Sequence, residues 1–434
     1  MSKILIKGAD IITMLDQQFI IQQGAVVIED DKFIFVGEEK ELPSEWKYDR
    51  EIIAEGKVIM PGMINTHTHG AMTLLRSYAD DLPLMEWLEE KIWPVEANLI
   101  ADDVYWGTMV AILEMIKSGT TCFADMYFHM DEVARAVEES GIRGALAHGM
   151  IGVGPNGDQD LDEGRRFAAK WNNKADGRIK TMLAPHAPFT CPPPYMEKVL
   201  KIADELEVPI HIHLAETLDE INNIKEEYGK TPIELVNDLG LFEHQVLAAH
   251  CVHLSDGDFK ILKDAKALGI AHNPQSNMKL ASGIAPVQRM LNQGLVVGIG
   301  TDGASSNNNL DMLEEMSTAA LLAKVGTMDS TALPAEEALK MATTYGAKAI
   351  GQGDKFGTIE EGKQADMIII DFNKPHLKPL HNVLAHTVYA AQSSDIETVI
   401  INGQIVMENN QVKTIDEERV LYEVERVTKD LLER

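Results

Sequence analysis

Cysteine is scarce in this sequence, and the little there is does not cluster. Cys122, Cys191 and Cys251 are the only three in 434 residues, and none has a partner at CxxC spacing. Neither a disulfide framework nor a zinc–thiolate site is supported, and a reducing compartment is expected. Cations are in deficit too: 39 Lys and Arg stand against 68 Asp and Glu, a formal charge of -29. A field of that sign repels polyphosphates and anionic membrane surfaces, so nucleic acid and membrane are excluded as expected partners. Long hydrophobic runs are missing as well. The first segment offers only Ile4 to Ile6 before Lys7, too short for the core of a secretory signal, and no later stretch approaches a membrane span. A cytoplasmic location is the expectation that remains. There is no low-complexity tract and no long Pro/Gly/Ser linker, while 45% hydrophobic content suffices for one large domain and a smaller one.

What is present has a clear grammar. ILIKGADIITML and GAVVIEDDKFIFVG near the start, and GTIEEGKQADMIIIDFN and ETVIINGQIVMENNQV near the end, alternate β-branched residues between turn formers, the pattern of short antiparallel strands. Neither end makes a core alone. The expectation is that residues 1–57 and 357–434 combine into one small β-sandwich domain flanking residues 58–356. In that central region apolar strand-like runs alternate with amphipathic helical stretches: VIMPGMINTHTH, TTCFADMY, IRGALAHGM, RIKTMLAPHAP, VPIHIHLAE, QVLAAHCVH, LGIAHNPQ and LVVGIGTDG. Nearly all of them end in a polar residue. This predicts an α/β fold, a (β/α)8 TIM-like barrel, whose strand C-termini all open on one face. The acidic stretch GPNGDQDLDEG reads as an exposed loop, and the GxGxxG formed by Gly152, Gly154 and Gly157 is interrupted by Pro155 and followed by charge, which argues against a dinucleotide site. Glu89-Glu90-Lys91 and the terminal EERVLYEVERVTKDLLER read as solvated helix faces.

The chemistry begins at His67-Thr68-His69. Side chains two apart on a strand share a face, so both imidazoles reach one point, and imidazole suits zinc or iron. An HxH alone fits polar caps on a barrel equally well. His213 ending the fifth run and Asp302 ending the eighth would complete a four-ligand site open to water. Glu216 lies beyond its strand end and is better placed to carry protons, and His211 reads as a packing or supporting residue. His250 would contact a metal-activated water or polarise a substrate atom, His186 reads either as a substrate contact or as a hydrogen-bonded barrel-top residue, and His253 reads as structural.

PGMINTHTHG, HLAE, AAHCVHL, HNPQSNMKLASGIAPV and GTDGASSNNNLDM together resemble the amidohydrolase superfamily, and within it the 5-methylthioadenosine/S-adenosylhomocysteine deaminases, over essentially the whole chain. The resemblance implies that His67, His69, His213 and Asp302 hold one divalent metal, zinc by preference, with iron and manganese as alternatives. Binuclear relatives carry a carboxylated lysine after the fourth strand, where this chain has Ala184-Pro185-His186, so a single ion is expected. Deaminases of the cytidine type use HxE and PCxxC, and neither is present.

The same resemblance implies hydrolytic deamination of an adenosine derivative, S-adenosylhomocysteine, 5′-methylthioadenosine or adenosine, to the inosyl product and ammonia. Glu216, His250 and Asp302 take the catalytic roles: Asp302 accepts a proton from the attacking water, Glu216 protonates N1 of the purine, and His250 steadies the oxygen. Glu96, in the segment DDLPLMEWLEEKIWPVE, matches the position that binds the ribose hydroxyls. His186 and Glu216 are further expected substrate contacts, as is His148, which stands where some members place an arginine. A homo-oligomer is expected. Guanine deamination and triazine dechlorination are the alternative reactions on the same scaffold.

Overall fold

The computed structural model describes residues 3–434; residues 1 and 2 of the expected first segment lie outside the described residues. Eight parallel strands close into a barrel: β1 (Met63–Thr68), β2 (Thr120–Tyr127), β3 (Arg143–Met150), β4 (Ile179–Pro185), β5 (Ile210–Leu214), β6 (Gln245–His250), β7 (Ala267–His272) and β8 (Val296–Ile299). Neighbours pair in chain order, and β8 returns to β1 through Ile299 and Asn65. These are the eight runs marked by their polar ends. Alternation along each strand sorts the side chains. Cys122, Ala124, Met126, Ala145, Ala147, Met182 and Ala184 share an inner cluster, whereas Phe123, Leu146, Met150 and Leu183 pack in the outer cluster with the helices. Alanine dominates the inside because an eight-stranded barrel has room for little more than its own side chains.

The two chain ends meet in a mixed sheet of nine strands. Lys3–Ile12, Ile20–Glu29, Lys32–Glu38, Arg50–Ile53 and Lys57–Pro61 come from the front, and Met367–Asp371, Ile396–Ile401, Gln404–Glu408 and Gln411–Val412 from the back. The seam is antiparallel, with Ile59 opposite Ile369. One face has its own core, in which Ile6, Ile11, Val26, Ile28, Phe33 and Ile369 are buried together. The sheet is fastened to the barrel floor by Arg143, the first residue of β3. Its guanidinium donates to Asp366 Oδ2 at 2.5 Å and Oδ1 at 2.9 Å, and to Asn402 Oδ1 at 2.8 Å. Both members of the pair are 2% exposed.

Two stretches differ from expectation. The helix Gly157–Trp171 begins inside GPNGDQDLDEG, with Asp158 and Asp160 in its first turn, where the field of the helix N-terminus favours carboxylates. Leu161, Phe167 and Ala168 turn its other face inward, so the loop is confined to residues 151–156. The terminal helix Glu417–Glu433 buries Val420, Val427 and Leu431. It packs on the barrel helix Ala101–Lys117, not with the sheet that its sequence neighbours join. Arg434 anchors it through two 2.8 Å bonds to Asp103.

Above the barrel mouth runs a covering helix, residues 84–96. It is α-helical over Leu84–Trp87, widens to a π-helical turn over Leu88–Ile92, and returns to α over Trp93–Glu96. Pro94 has no N–H to close a regular bond, and the Trp93 N–H reaches back five residues to the Leu88 carbonyl.

Candidate active site

His67 lies near the end of β1 and His69 just past it, which brings both rings to the mouth; His213 rises from β5 and Asp302 follows β8. His69 Nδ1 is 2.7 Å from the Met126 carbonyl oxygen, and His213 Nδ1 is 2.7 Å from that of His186. A carbonyl only accepts, so each Nδ1 carries the hydrogen and leaves Nε2 as the nitrogen open to a metal. Those two Nε2 atoms face each other at 3.3 Å. Burial, with neighbouring imidazoles, holds His213 well below the ordinary imidazole range, which leaves its Nε2 as an acceptor that a cation between the rings would satisfy.

The remaining donors agree. His67 Nε2 is buried without a hydrogen-bond partner, 3.4 Å from Asp302 Oδ1, and His69 Nε2 is 3.3 Å from the same oxygen. Burial opposes ionisation of Asp302, but the surrounding histidines hold its carboxyl well below the usual range. Ser276 and Ser306 hydroxyls donate to its other oxygen at 2.6 and 3.0 Å. Ligand atoms of His67, His69 and His213 lie within 4.8 Å of one another, as do those of His67, His250 and Asp302. Three imidazole nitrogens and one carboxylate oxygen make a donor set suited to zinc, iron or a similar divalent ion. His211 Nε2 sits 2.9 Å from His67 Nδ1, the supporting contact that fixes a ligand ring.

Beside this cluster stand two further groups. His250 Nδ1 donates to Asn277 Oδ1 at 2.9 Å, which turns Nε2 toward Glu216 Oε2, 3.7 Å away. Glu216 accepts from the Ser282 hydroxyl at 3.1 Å, and burial raises its carboxyl above the usual range. Glu220, in the helix Leu218–Tyr228, accepts the N–H groups of Ala215 and Glu216 at 3.1 and 2.8 Å; burial pushes it up to about 7. Four non-glycine residues here hold left-handed backbone: Ala215 (φ 53°), His250 (φ 73°), Cys251 (φ 48°) and Asp302 (φ 62°). Each costs about 1–3 kcal/mol and persists only where its surroundings enforce it.

These groups close one end of a cavity at the barrel mouth. Leu84, Trp87, Leu88, Ile92 and Trp93 of the covering helix form one wall, and Phe128, Ile151 and Phe189 stand among the other apolar lining residues. Glu96 ends the covering helix and accepts the Tyr127 hydroxyl at 2.5 Å, with its carboxyl raised by burial. His186 lines the cavity, its Nδ1 held 2.9 Å from the Thr190 hydroxyl.

His148, a further expected contact, is not among the residues that line the cavity. It sits on the outward parity of β3 between the inward Ala147 and the cavity-lining Gly149. Its ring faces Glu163 at 3.6 Å and is not part of the cavity wall. The period of two, applied from Ala145 and Ala147, gives that orientation. Glu220, Tyr127, Asn277 and Ser282 went unnoticed in the sequence; an acid in a first helical turn is ordinary, and a phenol, an amide and a hydroxyl on separate elements leave no local pattern. His253 Nε2 contacts the Ser282 carbonyl at 2.6 Å, in keeping with a structural part.

Comparison with known proteins adds the following. The profile described as the amidohydrolase family matches residues 58–406. A 5-methylthioadenosine/S-adenosylhomocysteine deaminase from Desulforamulus reducens is 56% identical, covering 98% of each chain. A 5′-deoxyadenosine deaminase from Methanosarcina acetivorans is 52% identical, covering 100% of this chain and 99% of its own. Among solved structures, an adenosine deaminase from Xanthomonas campestris with bound zinc superposes with a TM-score of 0.95 at 33% identity, covering 100% of this chain and 99% of its own.

Proposed function

The chain belongs to the amidohydrolase family, a family of metal-dependent hydrolases, and from that premise we propose that it hydrolytically deaminates adenosine derivatives of the S-adenosylhomocysteine and 5′-methylthioadenosine kind. His67, His69, His213 and Asp302 hold the metal, zinc by preference in keeping with the zinc-bound neighbour. The observation that carries this is the pair of Nε2 atoms facing each other at 3.3 Å with both Nδ1 atoms committed to carbonyls. A divalent ion bound there supplies the Lewis acidity that makes water a nucleophile near neutral pH.

The chain's own residues do the rest. Asp302 accepts a proton from the attacking water, and His250, oriented by Asn277, steadies the oxygen that becomes bonded to C6. Glu216, buried and biased toward its protonated form, donates to N1 so that no negative charge accumulates on the ring and takes a proton back from the C6 hydroxyl as the carbonyl forms, while the proton held by Asp302 passes to the departing amine. Glu220 fixes the strained turn on which Glu216 stands. Glu96 takes the ribose hydroxyls, with Tyr127 setting its orientation, and the covering helix excludes bulk water.

The test is ammonia release from 5′-methylthioadenosine by protein of measured metal content. Activity should accompany stoichiometric metal and vanish on chelation. Glu216→Gln should keep the metal while kcat falls by about 10²–10⁴-fold; full activity in that variant would remove Glu216 from the chemistry.

A further inference from the structure

We infer that Glu315 is a positioning residue for Asp302 and His250 together, although it is not among the residues lining the cavity and hydrogen-bonds to neither of them. This rests on the roles given to those two residues above. What it adds is one buried carboxyl on which the placement of both depends.

Glu315 stands in the first turn of the helix Met312–Thr327 and is fully buried. Burial raises its carboxyl well above the usual range, and a polar group in such a place is costly unless it is hydrogen-bonded. Each of its oxygens is answered by a different short helix. Oε1 accepts from the Asn307 side-chain amide at 2.5 Å, and Oε2 accepts the Gln275 backbone N–H at 3.3 Å. Asn307 ends the helix Ala304–Asn307, and Gln275 lies in the helix Pro274–Lys279.

Those same two helices hold the catalytic pair. From Pro274–Lys279, Ser276 donates to Asp302 Oδ2 and Asn277 accepts from His250 Nδ1. From Ala304–Asn307, Ser306 donates to the same Asp302 oxygen. The Asn307 amide also donates to the Thr301 carbonyl at 2.9 Å, which belongs to the peptide joining Thr301 to Asp302. Asp302 and His250 both hold left-handed backbone, at φ 62° and 73°, and such backbone persists only where its surroundings fix it. Displacing the Glu315 carboxyl would release Gln275 and Asn307 at once, and with them the three side chains that aim Asp302 and His250. Members of one hydrogen-bond network shift together.

The experiment sets Glu315→Gln beside Asp366→Ala, which removes a buried carboxylate at the barrel floor, far in the fold from the mouth. A glutamine keeps one acceptor and turns a donor toward the other N–H. Both variants are assayed as folded, zinc-loaded protein with 5′-methylthioadenosine, and zinc affinity is read by competition with a chelator. In Glu315→Gln, kcat and zinc affinity should each fall about 10-fold, the lower end for a residue supporting a metal site, with KM within about twofold. Asp366→Ala should leave all three unchanged. Asn307→Ala, which cuts one of the two routes, should lower kcat and zinc affinity in the same sense, and it decides the matter alone if Glu315→Gln does not fold. Folded variants with a lowered Tm but unchanged kcat and zinc affinity would overturn the inference and make Glu315 a packing residue. A change in KM alone would overturn it too. If the wild-type protein releases no ammonia, the deaminase reading fails, while zinc affinity still tests the part played by Glu315.

Discussion

At the barrel floor Arg143 and Asp366 are buried together with each major polar atom answered; at the mouth, buried His213 and half-buried His69 point ring nitrogens at one another. The floor bonds are 2.5 to 2.9 Å and include Asn402, whose own N–H returns to Asp366 at 2.7 Å. The mouth leaves His67 Nε2 without a hydrogen-bond partner and sets His69 against His213. It also keeps Ala215, His250, Cys251 and Asp302 in left-handed backbone. Burial alone therefore does not distinguish structural from functional charge. What distinguishes them is whether the chain supplies the partner or leaves the place open for one.

That contrast can be broken most severely at the mouth. His67→Ala should abolish deamination and bound metal together while the protein stays folded, measured by metal content, ammonia release and circular dichroism; retention of metal would place the ion elsewhere. At the floor, Asp366→Ala strands a buried guanidinium and should lower stability by about 3–5 kcal/mol. Denaturant unfolding reads that loss, and kcat/KM per folded, metal-loaded molecule should not change. Between the two lies His211, whose Nε2 is 2.9 Å from His67 Nδ1. His211→Phe should weaken metal affinity by about 10–100-fold, seen in competition with a chelator, and an unchanged affinity would make it packing alone.

The smallest effect concerns His148, buried outside the cavity with Glu163, Arg166 and Asp131 nearby. Burial holds its pKa down to about 4, against an ordinary value of 6.5. The unfolded chain therefore binds more protons in that interval, so stability is full above about pH 6.5 and declines as pH falls toward 4. His148→Gln should flatten the fall in Tm across this window, followed by calorimetry, and leave kcat/KM at neutral pH unaltered. A parallel Tm profile would show that His148 does not carry the acid sensitivity.

The barrel was legible because parallel strands buried on both faces write themselves as apolar runs, and their polar ends mark the mouth. The candidate metal cluster is legible for the same reason: His67, His69, His213 and Asp302 each sit at or just past such an end. Matching strand grammar at the two termini also foretold the shared sheet. Less readable was anything decided by approach in space. Glu220 looks like a routine helix-start acid until its two bonds to the Ala215–Glu216 turn are seen. Asn277 gains its place only because the short helix Pro274–Lys279 crosses beside His250. The outward direction of His148 is legible from the same period of two, counted from Ala145 and Ala147. The acidic GDQDLDEG reads as a loop because charge at a helix start and charge in a loop look alike without the buried Leu161 and Phe167.

The wide turn at Leu88–Ile92 sets the phase between two halves of one rod. Trp87 before it and Glu96 after it both face the cavity, although a regular helix advances about 100° per residue and would bring a different pair to that side. The enclosure thus depends on how many residues occupy the turn as well as on which ones they are. In a surface loop a gain or loss of one residue passes with little notice. In this stretch it would swing Glu96 away from Tyr127 and turn a different stripe of side chains toward the chamber.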